Sequence, residues 1–190
     1  TPRLIRSGPT AMARALYDYG VLAFDNVHVA NKKLLEDAMS WSKTHDAGFA
    51  DSKRLRLFKP ENTTQKLFDM VDVFSALHDL EASMIALPSG GSIIIETTQA
   101  FTVVDVNQGS AQNIQSANQE AAFEIVRQCR MRNLNGAILA DFINMSQKTD
   151  RAALIDYLEK CFQGDRAGPQ VHGFTRLGII EITRKRRSAT

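Results

Sequence analysis

The chain has 190 residues, of which 44% are hydrophobic and 23% charged, the composition of a soluble globular protein with enough length to bury a core. Its net charge of +2 is too small to name a partner. No apolar run is long enough to span a membrane. Two cysteines, Cys129 and Cys161, fall on the apolar sides of predicted helices and read as free thiols in a reducing cytoplasm. No signal peptide is visible, and a chain beginning at Thr1 fits a fragment or a processed product.

The N-terminal half alternates helices and strands. Ser7-Gly8-Pro9-Thr10 opens a helix with Met12, Leu16 and Tyr17 at helical spacing, and Gly20 closes it. Val21 to Phe24, bounded by Gly20 and Asp25-Asn26, reads as a buried strand. Ala30 to Lys43 is an amphipathic helix with Leu34, Leu35, Ala38 and Trp41 on one face. Lys53 to Phe58 alternates basic and apolar residues, as a half-exposed strand does. Its Arg54 and Arg56 either touch a phosphate backbone or, more commonly, keep an edge strand soluble. After a turn at Pro60-Glu61-Asn62, Lys66 to Leu80 reads as a helix with Leu67, Val71, Phe74 and Leu77 inward.

In the second half, Pro88-Ser89-Gly90-Gly91 signals a turn, either a plain hairpin or, less often, a cradle of amides for phosphate. Ser92 to Thr97 and Ala100 to Asn107 read as strands, and Gln108 to Asn118 as a polar loop. Ala117 to Arg132 is an amphipathic helix, with Ala121, Ala122, Ile125, Val126 and Cys129 inward and Glu120, Glu124, Arg127 and Arg130 outward. Ala137 to Phe142 reads as a strand buried on both faces, Lys148 to Gln163 as a helix, and Val171 and Gly178 to Thr183 as the final strands. This order predicts an α/β fold, mixed sheets with covering helices. With no Gly/Ser-rich linker between the halves, two closely packed subdomains are expected.

Two strands end in carboxylates. Alternation places Val103, Asp105 and Asn107 on one face, so an acid and an amide point the same way. Asp141 ends the strand that begins at Ala137, and strand ends form the ligand crevice of open α/β sheets. Together they offer the hard oxygen donors that suit Mg²⁺ or Mn²⁺, a metal able to activate water against a phosphodiester. The bland reading of either aspartate is a strand-end hydrogen-bond acceptor. The C-terminal half also collects Arg127, Arg130, Arg132, Arg166, Arg176, Arg184, Lys185, Arg186 and Arg187, which either attract a polyanion or form a solvated face and a frayed tail. None of the four histidines has ligand spacing; His172, near Arg176, is a weak candidate for nucleic-acid contact.

The runs LPSGGSIIIETTQAFTVVDVN, NQEAAFEIVRQCRMRNLNGAILADFINM and FTRLGIIEITRKR resemble the catalytic region of the ribonuclease E/G family over nearly all of residues 87–187. The resemblance implies a ribonuclease-H-like segment over residues 1–84 and a deoxyribonuclease-I-like catalytic subdomain over 85–190. It implies a cytoplasmic endoribonuclease that cuts single-stranded RNA to 5′-phosphate and 3′-hydroxyl ends, with Mg²⁺ held by Asp105 and Asp141 and supported by Asn107. Arg127, Arg130, Arg166, Arg176 and Arg184 are the candidate RNA contacts. The family's OB-type domain, 5′-monophosphate sensor and zinc-linking Cys-x-x-Cys have no counterpart in these residues, so any homo-oligomer is expected to form without that zinc link. The family places arginines after Asp-Val-Asn and an acid at position 144; here stand Gln108 to Gln112 and Asn144. These departures keep open a second expectation, a catalytically weak or inactive RNA-binding or assembly module.

Overall fold

A computed structural model describes residues 10–19, 26–51, 53–60, 66–70 and 73–185. The fold is α/β, and the chain divides into two compact units, Thr1–Leu77 with Thr190, and His78–Ala189. No helix among the described residues is long and apolar enough to cross a membrane.

The first unit contains α1 (Ala11–Tyr19), β1 (Val27–Val29), α2 (Lys32–His45), α3 (Ala47–Asp51), β2 (Leu55–Leu57) and α4 (Leu67–Met70); α5 (Val73–Asp79) runs across the boundary. β1 and β2 pair in parallel, Val27 opposite Leu55. Asn31 starts α2 by accepting from the Leu34 amide at 2.9 Å, satisfying one of the free N–H groups of the first turn. Leu16, Ala38 and Phe49 form the core, flanked by Met12, Val27, Trp41 and Leu55. The strand expected at Val21 to Phe24 lies outside the described residues, as do Gly20, Glu61 and Asn62. Phe74 and Leu77, expected inward, are instead 59% and 48% exposed. The Phe74 ring meets Phe68 edge-on at 6.1 Å, so these two exposed aromatics shelter each other.

The second unit is built on six strands: β3 (Met84–Ala86), β4 (Ser92–Thr97), β5 (Phe101–Asn107), β6 (Gly136–Asp141), β7 (Gln170–Phe174) and β8 (Ile180–Arg184). Their order is β3-β4-β5-β6-β8-β7. β5 and β6 are parallel and the other pairs antiparallel. The parallel pair needs a crossover, and α6 (Ile114–Met131) supplies it; α7 (Lys148–Cys161) links β6 to β7.

Period-two alternation decides which side of the sheet the helices cover. Ile93, Ile95, Val104, Val106, Ile138, Ala140, Ile180 and Ile182 point to one face and pack against Ile125, Val126, Leu154 and Leu158 of α6 and α7. Each such valine, leucine or isoleucine contributes about 1.5–3 kcal/mol on burial. The other face of β5 carries exposed Phe101, Val103, Asp105 and Asn107. The Ala137 to Ala140 run is therefore buried on one face: Ile138 and Ala140 are in the core, and Ala137 and Leu139 are half-buried. α6 begins earlier than expected, because Asn113 caps it by accepting from the Ser116 amide at 3.1 Å. The loop after β5 is correspondingly shorter, residues 108–113.

Candidate metal centre

The last register pair of the parallel strands is Asp105 with Asp141. Adjacent strands lie about 4.8 Å apart and paired residues share a face, so the two carboxylates stand side by side. Both are exposed. Two negative charges about 5 Å apart repel by on the order of 1 kcal/mol even in bulk water. Among the described residues no lysine or arginine forms an ion pair with either acid. Asn107, next on the same face, donates from Nδ2 to Asp105 Oδ2 at 2.9 Å. Asp141 has no side-chain hydrogen bond or ion pair among the described residues. Two carboxylates and an amide oxygen match the few hard donors with which proteins hold Mg²⁺, the remaining positions going to water and substrate oxygens. No group of three or more His, Cys, Asp or Glu that could hold a metal occurs among the described residues, so nothing there competes as a fuller protein cage.

The turn before β4 buttresses this end of the sheet. Leu87 donates to Gly91 O at 2.9 Å and Gly90 donates to Leu87 O at 3.0 Å, closing the β3–β4 hairpin. The Gly90 amide is spent on that turn. Ser110 donates to Gly90 O at 3.1 Å, which docks the loop after Asn107 onto the turn. The approach is close enough to require glycine: a Cβ on Gly91 would lie 2.7 Å from Asn107 O, and one on Gly109 would strike Gly90 O. Glu120 of α6, read as an outward residue, accepts from the Ser89 amide at 2.8 Å. Helical periodicity gave no signal for that contact, since its partner lies 31 residues away.

The arginines separate into different kinds. Arg184 is 4% exposed, which corrects its assignment as an RNA contact. It donates to Asp165 at 2.9 and 3.3 Å and to Leu134 O at 2.6 Å. It sits at a core-facing position of β8, which alternation marks as inward, and its charge is met by buried Asp165. Arg130 donates to Cys161 O and Gln163 O at 3.1 and 3.2 Å and lies 3.8 Å from Asp165. Arg127 grips Glu124 through two 2.8 Å bonds, yet stays half-exposed. Arg166 and Arg176 are exposed. Arg176 lies in the turn between β7 and β8; because Ile180 pairs with Ala140, this turn is at the same end of the sheet as Asp141. His172 shares a 2.8 Å hydrogen bond with Thr183 Oγ1. Arg186 and Arg187 lie outside the described residues.

Asp165 and the two cysteines, which belong to the scaffold, have shifted values. Burial works to raise the Asp165 pKa, but hydrogen bonds from Arg184 and the Ala167 amide, with the charges of Arg184 and Arg130, hold it below the ordinary aspartate value. Burial pushes the Cys129 thiol up to about 12 and raises Cys161 as well; both are free thiols. Neither is a ready nucleophile.

Comparison with known proteins agrees with the motifs. The family model for the ribonuclease E/G family matches residues 1–187. The chain is 33% identical to ribonuclease G of Escherichia coli over 189 residues, 94% of this chain and 37% of that protein. It is 45% identical to ribonuclease E of a Synechocystis species over 109 residues, 54% of this chain and 16% of that protein. A putative ribonuclease E of Buchnera aphidicola is 32% identical over 97% of this chain and 46% of its own length. The chain thus spans less than half of each of these relatives, and it belongs to the ribonuclease E/G family.

Proposed function

We propose that this chain carries the metal-binding catalytic part of a cytoplasmic endoribonuclease, which hydrolyses single-stranded RNA to 5′-phosphate and 3′-hydroxyl ends. Asp105 and Asp141 hold Mg²⁺, or Mn²⁺ in its place. The observation that carries the reading is the register pairing of these two acids at the ends of the parallel strands. Their mutual repulsion, uncompensated by any ion pair among the described residues, would be relieved by a divalent cation held by the two acids.

When bound, the metal supplies charge neutralisation at the scissile phosphate and a more acidic water. The chain's own residues do the rest. Asn107 fixes the rotamer of Asp105 through its 2.9 Å bond, leaving Asp105 Oδ1 for the cation. The face of β5 that carries Asp105 and Asn107 is exposed. Arg176, at the same end of the sheet, offers a phosphate contact; Arg127 and Arg130 stand on α6, over the covered face and toward the end where β6 begins, and Arg166 follows Asp165 at that end, so none of the three adjoins the acid pair. The names of the relatives, ribonuclease E and ribonuclease G, support the substrate class.

The test is cleavage of an unstructured, 5′-labelled RNA by the purified chain with Mg²⁺ or Mn²⁺. Cleavage that needs the metal and disappears in Asp105→Asn and Asp141→Asn is the expected result. Binding without cleavage under either metal selects the inactive RNA-binding module, and no binding at all defeats both readings.

A further inference from the structure

We infer that Asn118 is a positioning residue for the metal pair: it aims Asp141 by clamping the main chain two residues beyond it. This rests on the proposed role of Asp105 and Asp141. Asp105 has the Asn107 side chain to orient it, but Asp141 has no such partner among the described residues. Its direction is therefore set by its backbone. Upstream, β6 is held by β5 and β8. Downstream, the ladder ends at Asp141, and residues 142–147 have no regular structure.

Asn118 takes over there. Its side chain is fully enclosed, 1% exposed. Nδ2 donates to Ile143 O at 2.8 Å, and Ile143 N donates back to Oδ1 at 3.0 Å. The amide reproduces the two-bond exchange of an antiparallel strand pair, with α6 standing in for the missing strand. Phe142 and Met145, both buried, pin the same segment to the core. The helix has no need of asparagine at this place. Asn113 already caps it, and position 118 lies beside buried Ala117, Ala121 and Ala122, where an apolar residue would pack. An interior asparagine is a poorer helix former than alanine. What the amide accomplishes is the bond pair to Ile143, and that pair acts on the segment leaving Asp141.

The experiment compares the wild-type chain with Asn118→Leu, which keeps the branched shape at somewhat larger volume and loses both bonds, and Asn118→Asp, which keeps the acceptor for Ile143 N. Mn²⁺ affinity is measured by titration calorimetry without RNA, and kcat and KM on the labelled RNA. Loss of a partner that orients a ligand typically costs 10–100-fold in metal affinity or activity. The expected result for Asn118→Leu is Mn²⁺ affinity weakened about tenfold and kcat lowered by a similar factor, with KM for RNA within about twofold and far-ultraviolet circular dichroism unchanged. Asn118→Asp is expected to fall between the two, and supplies the reading where the leucine variant does not fold. A folded variant that binds Mn²⁺ and cuts with wild-type constants overturns the inference and leaves the metal pair standing. A wild-type chain that takes up no Mn²⁺ overturns the metal pair itself, and this inference with it.

Discussion

Asp165 and the Asp105–Asp141 pair are the same side chain put to opposite uses. Asp165 is enclosed, 3% exposed at its side chain, with Arg184 at 2.9 Å and Arg130 at 3.8 Å. Its charge is neutralised within the fold, and the result is a tie between β8 and the loop after α7. Asp105 and Asp141 are exposed, adjacent to each other, and in no ion pair among the described residues. A carboxylate already given its arginines has nothing left to offer a ligand. A pair denied them, and held at fixed spacing by a strand register, leaves that charge for a cation from outside.

The comparison breaks most visibly when each kind of acid is neutralised in turn. Asp141→Asn, or Asp105→Asn, is expected to reduce RNA cleavage by on the order of 10³-fold, since several kcal/mol of charge stabilisation at the phosphate go with the metal. Stability without metal should change by no more than about 1 kcal/mol, and upward, because one of two repelling charges is gone. A variant that still cuts at the wild-type rate removes that residue from the metal site. Asp165→Ala should do the reverse. It leaves Arg184 buried without its counter-charge and is expected to destabilise the fold by about 3–5 kcal/mol, read by denaturant titration. At a temperature where the variant stays folded, its cleavage rate should match the wild type. A stable Asp165→Ala protein would show that the buried pair is not the tie described here.

Gly91→Ala probes the scaffold that holds one member of the pair. Its Cβ would meet Asn107 O at 2.7 Å, and a main-chain oxygen cannot swing aside as a side chain can. The expected cost is about 1–3 kcal/mol in stability from overpacking. Displacement of Asn107 and Asp105 by even part of an ångström should lower kcat by roughly 10–100-fold, measured alongside unchanged RNA binding. An alanine variant with wild-type kcat would mean that the turn sets the hairpin alone.

How far the sequence foretold all this depends on range. The covered face of the sheet was legible because alternation is local: Val104 and Val106 against Asp105 and Asn107 need only a period of two. The two acids were legible as strand ends, and the family motifs singled them out. That they share a register pair was not, since it depends on β5 and β6 pairing across the whole of α6. Arg184 was misread for a related reason. Basic composition in the C-terminal half suggested surface, while its alternation within β8 and a partner 19 residues away put it in the core. Asn118 looked like part of a polar loop, because its partner Ile143 is 25 residues distant. Phe74 and Leu77 show that helical spacing marks a face as apolar without saying what covers it.

A pH titration of stability sharpens the same contrast at smaller amplitude. The folded-state pKa of Asp165 lies below its ordinary value of 3.8. Stabilisation from its ionised form is therefore fully present above about pH 4 and is lost as pH falls through the lower folded value. Unfolding free energy should decline on the acid side, and Asp165→Ala should flatten that limb.

The smallest expected effect tests whether the two kinds of arginine differ as the two kinds of aspartate do. Arg176 is exposed in the turn between β7 and β8, at the Asp141 end of the sheet; Arg184 is enclosed with Asp165. A phosphate contact releases counterions, so log binding constant against log salt has a slope of about −0.7 per contact for a single strand. Arg176→Ala should make that slope shallower by about 0.7 while leaving the melting temperature in place. Arg176→Lys should keep the wild-type slope, because the contact asks for charge rather than for a fixed geometry. Arg184→Met, by contrast, should lower stability and leave the slope of the remaining folded protein unchanged. If Arg176→Ala leaves the slope untouched, this arginine at the Asp141 end of the sheet belongs to the solvated face and the RNA path runs elsewhere.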